Sequence, residues 1–363
     1  MSFEITADSE PGVMNPTERL HVAGLHAPTD AVLSVRDLNI RFNTENGVVH
    51  AVRGVDFDLL PGKTLGIVGE SGSGKSVTSM AIMGLLPPTA QVTGSVRLKG
   101  KELLGLSDKA MCAFRGNDIA MVFQDPLSSL TPVYTVGTQI IEALTVHNPT
   151  MSKQAKEARA VELLAMVGIP SPKDRLKAFP HEFSGGMRQR VMIAIATANN
   201  PRVLIADEPT TALDVTIQAQ IMELLRQLRQ EKGIGLVLVS HDLGVVAGAA
   251  SRISIMYAGK VVERGSVDDV FAAPLHPYTQ GLLASLPRLD RRVGRLTAIA
   301  GAPPAIHDRP SGCDFNPRCI HALDRCRVEV PRLRRIGDTE AACHFAEEIR
   351  LGDTEARASL AGG

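Results

Sequence analysis

One eight-residue segment limits the fold of this chain more than any other part of its sequence. It stands between the apolar run TLGIV and the helical stretch SVTSMAIMGLL, and its residues are Gly69, Glu70, Ser71, Gly72, Ser73, Gly74, Lys75 and Ser76. Glycines allow the backbone to curl so that successive N–H groups face a phosphate, and the following helix adds the positive end of its dipole. The pattern predicts a phosphate-binding loop, with Lys75 on the β- and γ-phosphates and Ser76 on Mg²⁺.

A second segment, VLIADEP at residues 203–209, ends in two adjacent carboxylates. Its apolar part is typical of a buried strand, and ligands of open α/β sheets bind at the carboxyl ends of the strands. We therefore expect Asp207 to hold Mg²⁺, directly or through water, and Glu208 to polarise the water that attacks the nucleotide.

The hydrophobic pattern indicates an α/β fold. TLGIV, VLIAD and GLVLVS are continuous apolar runs, and helical patterns lie between such runs, including 152–167, 185–199 and 214–232. Continuous apolar strands that alternate with helices are typical of a parallel sheet buried on both faces. Nearer the N-terminus, VLSVRDLNIRF and VVHAVRGVDFDLL are predicted to pair as strands, with Asn46-Gly47 as the turn between them.

Composition excludes several classes of protein. Lys and Arg total 39 and Asp and Glu total 39, so a globally basic nucleic-acid binder is not favoured. With 44% apolar and 21% charged residues the composition is that of a globular protein. No apolar run approaches the roughly 18 residues of a membrane-spanning helix, and the acidic start does not match a secretory signal. We expect a cytoplasmic chain that reaches a membrane only by docking on another protein.

The stretch PHEFSGGMRQRVMIAIA resembles the signature sequence of ATP-binding-cassette (ABC) ATPases. Further landmarks of this family occur in the expected order over roughly residues 32–285. The resemblance implies these roles: Phe42 stacks on adenine, Gln124 reaches Mg²⁺ and the water, Ser184, Gly185 and Gly186 form the signature, Asp214 lies in the loop at the dimer interface, and His241 holds the γ-phosphate.

The family resemblance also implies an architecture and a mechanism. The expected fold is a P-loop NTPase cassette with a RecA-like parallel sheet core, an antiparallel β subdomain and an α-helical subdomain. Two cassettes pack head to tail, so that each ATP lies between the phosphate loop of one chain and the signature of the other. Phe183 and Met187 depart from the usual Leu and Gln of the signature, and activity is expected to survive because Ser184 and the backbone N–H groups are retained.

Three stretches resemble the oligopeptide/dipeptide importer branch: QDPLSSLTPVYTVG, PHEFSGGMRQR and PLHPYTQGLLASLPRL. The resemblance implies an ATP-hydrolysing subunit that powers peptide import from the cytoplasmic face of the membrane. Its partners would be a second, different cassette chain, two membrane permease subunits and an extracytoplasmic substrate-binding protein, with no nucleic acid. An importer ATPase for nickel or glutathione, and a soluble ABC ATPase not linked to transport, remain the alternatives, since the sequence does not identify the cargo.

The texture of the sequence changes after residue 286, where prolines become frequent. The expected organisation is a loose leader at 1–30, a nucleotide-binding domain at 31–286, a small Cys-rich regulatory domain at 287–350 and a tail at 351–363. The fifth cysteine, Cys112, lies outside the Cys-rich part and is expected to be an ordinary buried or half-buried thiol.

Four cysteines follow the spacing Cys313-x5-Cys319-x6-Cys326-x16-Cys343. Four thiolates can hold zinc or a [4Fe–4S] cluster. The tight C-x2–4-C pair usual in zinc sites is absent, and the wide loops suit a larger cluster. The tail also resembles the importer family's GCxFxPRCxxAxxxC pattern, which is associated with an iron–sulfur cluster in some members. We therefore predict a [4Fe–4S] cluster, with zinc and unmetallated thiols as the alternatives.

Overall fold

A computed structural model describes residues 30–45, 47–211, 213–286 and 299–350, except for the side chain of Leu127. The predicted leader (apart from Asp30), the predicted C-terminal tail and Asn46 of the predicted turn lie outside the described residues.

The strands form two sheets. The bounds are β1 Leu33–Thr44, β2 Gly47–Leu59, β3 Thr64–Val68, β4 Ala90–Leu98, β5 Lys101–Glu102, β6 Ile119–Val122, β7 Val203–Asp207, β8 Gly235–Ser240, β9 Arg252–Tyr257, β10 Lys260–Ser266, β11 Arg334–Ile336 and β12 Thr339–Ala341. One sheet has the order β2-β1-β4-β5, and the other has the order β11-β12-β10-β9-β3-β8-β7-β6.

Helices pack against both faces of the larger sheet. Their bounds are α1 Lys75–Ile82, α2 Asp108–Met111, α3 Pro126–Ser129, α4 Val136–His147, α5 Lys153–Met166, α6 Pro172–Arg175, α7 Gly185–Ala196, α8 Val215–Lys232, α9 Leu243–Ala247, α10 Val267–Ala272, α11 Pro277–Ala284 and α12 Asp324–Val328. The three helices predicted from periodicity are confirmed as α5, α7 and α8, with ends that differ by at most three residues. No helix of the described part of the chain is long and apolar enough to cross a membrane.

The predicted parallel sheet is confirmed. Strand β3 pairs in parallel with β8 and β9, and β7 pairs in parallel with β6 and β8. Every residue of β3, β7 and β8 is buried, because successive side chains enter different cores. In β7, Leu204 and Ala206 join the core formed with α4, α5, α7 and α8, whereas Val203 and Ile205 join the core beneath the smaller sheet.

The smaller sheet is antiparallel, and the predicted pairing of β1 with β2 is confirmed. Strands β10, β12 and β11 extend the larger sheet beyond β9 with antiparallel pairing. The turn Ala258-Gly259, in which both residues have positive φ, joins β9 to β10, as expected for a type I′ hairpin. Strand β12 then pairs with β10, so the Cys-rich segment completes the sheet that carries the phosphate loop.

Candidate functional site

Adjacent parallel strands bring the predicted catalytic residues to one edge of the sheet. Val68 lies opposite Ser240, and Asp207 lies opposite Val239. The phosphate loop starts directly after β3, Glu208 directly after β7 and His241 directly after β8, while Gln124 follows β6 by two residues. The carboxyl ends of the strands therefore place these four features side by side.

The phosphate loop has a shape that only glycine supplies at several positions. Gly72 and Gly74 have φ values of +78° and +100°, which side chains rarely allow. A Cβ atom on Gly69 would lie 2.2 Å from the Met256 carbonyl oxygen, and one on Gly74 would lie 2.9 Å from that of Ala51. Because Gly74 caps α1 without any side-chain hydrogen bond, the first N–H groups of α1 remain available to an anion.

Lys75 is held inside the loop. Its side chain is 4% exposed, and its Nζ donates to the carbonyl oxygens of Gly69 at 2.7 Å and Glu70 at 3.1 Å. Burial lowers the pKa of Lys75, and the nearby carboxylates of Glu208 and Asp207 counter that effect. The carbonyl groups of the loop itself thus fix the position of the ammonium group.

Ser76 and Asp207 form an oxygen pair beside the loop. The Ser76 hydroxyl donates to Asp207 Oδ1 at 3.0 Å. Burial raises the pKa of Asp207, and the hydrogen bond from Ser76 opposes this shift. A hydroxyl and a carboxylate at this distance match the oxygen ligands that Mg²⁺ prefers. The predicted assignment of both residues to Mg²⁺ therefore has suitable chemistry and remains a prediction.

Glu208 is the centre of a hydrogen-bond cluster. Its Oε2 accepts from Gln124 Nε2 and from Thr211 Oγ1, both at 2.9 Å, and lies 3.1 Å from His241 Nδ1. The backbone of Glu208 has φ of +47°, a strained value for a residue with a side chain, and its N–H donates to Val239 at 2.9 Å. The sheet thus orients this carboxylate, and a local threonine helps to hold it.

The signature residues have local roles in this single chain. The Ser184 hydroxyl caps α7 by accepting from Met187 N at 3.3 Å, and Phe183 is buried beside it. A Cβ atom on Gly186 would lie 2.6 Å from Ile217 Cγ2, so glycine is needed where α7 packs on α8. A Cβ atom on Gly185 would lie 3.7 Å from Leu213 Cδ2, which is an ordinary contact. Their contact with a nucleotide on another chain remains a prediction.

Phe42 and Asp214 lie where the fold gives each a structural task. Phe42 is half-buried on β1, pairs with Val49 and Ala90 in the sheet, and packs against the core beneath it. Asp214 caps α8 by accepting from Ile217 N at 3.0 Å. The predicted roles in adenine stacking and at a dimer interface remain predictions.

Three residues that contact the site lacked a sequence signal. Thr211 lies three residues after Glu208, and nothing in its spacing marks its bond to that carboxylate. Tyr278 and Arg318 both reach Glu70 of the phosphate loop from far along the chain. The His276-Pro277-Tyr278-Thr279 stretch was interpreted as a marker of the importer branch and as the start of a helix. α11 does begin at Pro277, but neither interpretation pointed to the contact with Glu70.

The four clustered cysteines line one cavity, together with three histidines. Burial raises the pKa of Cys313 to about 11 and that of Cys343 to about 12, and it also raises the pKa of Cys319. The free volume between these side chains is about 20 Å³. Among the described residues no three His, Cys, Asp or Glu side chains are arranged to hold a metal ion. The cavity supplies four thiols but no preformed metal geometry.

Cys112 corrects one prediction. It was expected to be buried or half-buried, but it is exposed. The short helix α2 ends at Met111, which is buried, and Cys112 is the capping residue that follows it. Cys112 is therefore a surface thiol.

Comparisons with known proteins agree with this geometry. The ABC transporter family profile matches residues 52–211, and that of the oligopeptide/dipeptide transporter C-terminal region matches residues 262–326. A dimeric ATP-binding cassette solved in a post-hydrolysis state with ADP and Pi is 30% identical, with a TM-score of 0.59, and the match covers 65% of this chain and 98% of that one. The fold and the site define this chain as an ATP-binding cassette of the P-loop class.

The particular family follows from curated relatives. The dipeptide transport ATP-binding protein DppD of Bacillus subtilis is 54% identical, with 83% of this chain and 90% of that protein covered. DppD of Escherichia coli is 50% identical, with 87% and 97% covered. The oligopeptide transport ATP-binding protein OppD of Mycobacterium tuberculosis is 53% identical over 91% of this chain, which spans only 56% of that relative's length. The chain belongs to the family of oligopeptide and dipeptide transport ATP-binding proteins, as predicted.

Proposed function

We propose that this chain hydrolyses ATP to power the import of oligopeptides or dipeptides through a membrane ABC transporter. The observation that carries the proposal is the position of Glu208, whose carboxylate is held by Gln124 and Thr211 and lies beside His241 and Lys75. A fixed carboxylate next to a phosphate loop is the arrangement that nucleotide hydrolysis needs.

The loop and its lysine would bind the phosphates. The N-terminus of α1, which has no side-chain cap, presents N–H groups, and Lys75 can exchange its bonds to Gly69 and Glu70 for phosphate oxygens. Ser76 and Asp207 would hold Mg²⁺, which neutralises charge on the phosphates when bound. Phe42 would stack on the adenine.

Glu208 would accept the proton of the attacking water. Its bonds from Gln124 and Thr211 keep the carboxylate oriented, and the bond from its N–H to the Val239 carbonyl holds its backbone at the end of β7. His241, whose side chain is 56% exposed, can turn from Glu208 towards the γ-phosphate. Gln124 would contact the attacking water and Mg²⁺, and it would lie next to a permease subunit.

Two cassettes would complete each site. Ser184, Gly185 and Gly186 stand at the start of α7, where free N–H groups can meet the nucleotide bound by a partner chain. Binding of the shared nucleotide would close the pair, and hydrolysis would release it. The partners in this proposal are a different cassette chain, two permease subunits on the membrane and an extracytoplasmic binding protein, with this chain at the cytoplasmic face.

The peptide cargo is supported by the relatives and by the C-terminal match. Curated relatives named for dipeptide and oligopeptide transport are identical to this chain at 50–54% of the aligned residues. The matched C-terminal region, residues 262–326, includes Tyr278 and Arg318, which contact the phosphate loop.

Uptake by whole cells tests this function. Deleting the gene should abolish accumulation of a labelled dipeptide or hexapeptide, and the wild-type gene should restore it, whereas uptake of a free amino acid stays unchanged as the control. Unchanged peptide uptake with loss of nickel or glutathione uptake would replace the proposed cargo. Unchanged uptake of all three would contradict a role in import.

We also propose that the cysteine cavity holds a [4Fe–4S] cluster. The support is its donor set, since Cys313, Cys319, Cys326 and Cys343 reach one cavity from positions up to 30 residues apart. Four thiolates are the usual ligands of such a cluster, which would cross-link the loops of the C-terminal segment.

Metal analysis tests the cluster. Anaerobically purified protein should be brown and contain iron and sulfide at about four of each per chain. Cys326→Ser should lose most of both, whereas Cys112→Ser, which changes an exposed thiol outside the cavity, should keep them. Stoichiometric zinc, or colourless protein without metal, would contradict the proposal.

A further inference from the structure

Glu70 of the phosphate loop is anchored through each of its polar groups. Its N–H donates to the Tyr278 hydroxyl at 2.9 Å, and its carbonyl oxygen accepts from Lys75 Nζ at 3.1 Å. Its carboxylate accepts from the two terminal nitrogens of Arg318, at 2.6 Å and 3.0 Å. Tyr278 and Arg318 come from the C-terminal third of the chain, so the loop is held from outside its own strand and helix.

Arg318 is itself firmly placed. Its Nε donates to the Ala300 carbonyl at 3.0 Å, and its guanidinium lies 5.8 Å and 5.9 Å from the ring centres of Tyr257 and Phe315. The side chain is only 5% exposed, against 27% for Glu70. A planar guanidinium fixed on three sides presents a rigid fork to a carboxylate, and such bidentate pairs are the more directional ion pairs of proteins.

The Cys-rich segment therefore lies directly against the phosphate loop. Phe315, which contacts the guanidinium, lines the cysteine cavity with Cys319, the residue after Arg318. Residues 303–306 of the same segment face the loop across a cavity of about 240 Å³. The chain folds back over 248 residues to bring Arg318 to Glu70.

We propose that Arg318 is a positioning residue of the nucleotide site. By binding the carboxylate of Glu70 with two hydrogen bonds, it holds the loop in the conformation that receives the phosphates. The loop therefore loses less conformational entropy when nucleotide binds. This inference rests on the proposed nucleotide binding. It assigns the C-terminal segment a direct part in that binding.

If the Arg318–Glu70 pair acted on the nucleotide through charge alone, the expected effect of replacing Glu70 would be the opposite of the one that positioning predicts. Removing the negative charge of Glu70 would strengthen the binding of an anionic nucleotide if charge alone mattered. Positioning predicts that loss of either partner weakens binding, and that losing both costs no more than losing one, because the pair is broken once in each case.

The test is the affinity of the purified full-length chain for MgATP and MgADP, measured by titration calorimetry. Arg318→Gln and Glu70→Gln should each bind about tenfold more weakly than wild type, and the double variant should match the single ones. Arg334→Gln is the matched control, because Arg334 makes a bidentate pair with Glu347 in the same segment, away from the loop. It should bind within about twofold of wild type, and thermal unfolding of every variant is recorded alongside.

Tighter binding by Glu70→Gln, or wild-type affinity in Arg318→Gln, would overturn the positioning role. Equal losses in Arg318→Gln and Arg334→Gln would also overturn it, since they would report general loosening of the C-terminal segment. Wild-type protein that binds neither nucleotide would instead refute the proposed function itself.

Discussion

Replacing Glu208 by Gln should slow ATP hydrolysis by about a thousandfold and leave ATP binding close to wild type. A positioned general base contributes roughly 10²–10⁴ in rate, and the amide cannot accept the proton of the attacking water. Binding should persist because the loop and Lys75 are unchanged, and the loss of a negative charge beside the phosphates favours the nucleotide. Phosphate release and nucleotide affinity measured on the same preparation separate the two effects.

Glu223→Gln is the control for this substitution. Glu223 is an exposed carboxylate on α8, where it pairs with Arg226, and its replacement should change the hydrolysis rate by less than about twofold. A Glu208→Gln chain that hydrolyses ATP within tenfold of wild type would show that this carboxylate is not the base.

The phosphate site was largely predictable from sequence because its parts are local. Gly69–Ser76 specifies a loop by residue type and spacing, and the apolar run before it is short enough to be a strand. The alignment of Gln124, Glu208 and His241 needed only one further physical rule, that parallel strands end at the same edge of a sheet. The role of Glu208 was predicted from its position after an apolar strand, whereas the roles of Gln124 and His241 were implied only by the family resemblance.

The contacts around Glu70 and Glu208 were not predictable, because they depend on how distant segments pack. Arg318 is one of many arginines in the C-terminal part of the chain, and nothing in its immediate sequence distinguishes it. Thr211 donates to Glu208 within a turn where the backbone of Glu208 adopts a left-handed conformation that its residue type does not favour.

The change in composition after residue 286 was visible, but the strand pairing beyond it was not. β11 and β12 have three residues each and carry no clear alternation, yet β12 pairs with β10 and extends the main sheet. Edge pairing of such short strands depends on the tertiary fold rather than on local propensity.

Ser184→Ala should slow ATP hydrolysis by about 30-fold in the assembled transporter. The proposed hydrogen bond joins its hydroxyl to a charged phosphate on the partner cassette, and bonds to charged groups contribute about 1.5–3 kcal/mol. The same substitution also removes a helix cap worth about 1 kcal/mol of stability, so the control must remove an equivalent cap. Ser152→Ala is that control. The Ser152 hydroxyl caps α5 by accepting from Ala155 N at 3.2 Å, just as the Ser184 hydroxyl caps α7 by accepting from Met187 N at 3.3 Å.

The most direct measurement of the shared nucleotide site is therefore the ATP hydrolysis rate of affinity-purified transporter that carries either serine substitution. If the signature of one chain contacts the nucleotide that its neighbour binds, the transporter with Ser184→Ala will hydrolyse ATP about 30-fold more slowly than the one with Ser152→Ala. The rate with Ser152→Ala will remain near that of wild type. Equal rates for the two variants would mean that the start of α7 never touches the nucleotide, and the two-chain account would be wrong.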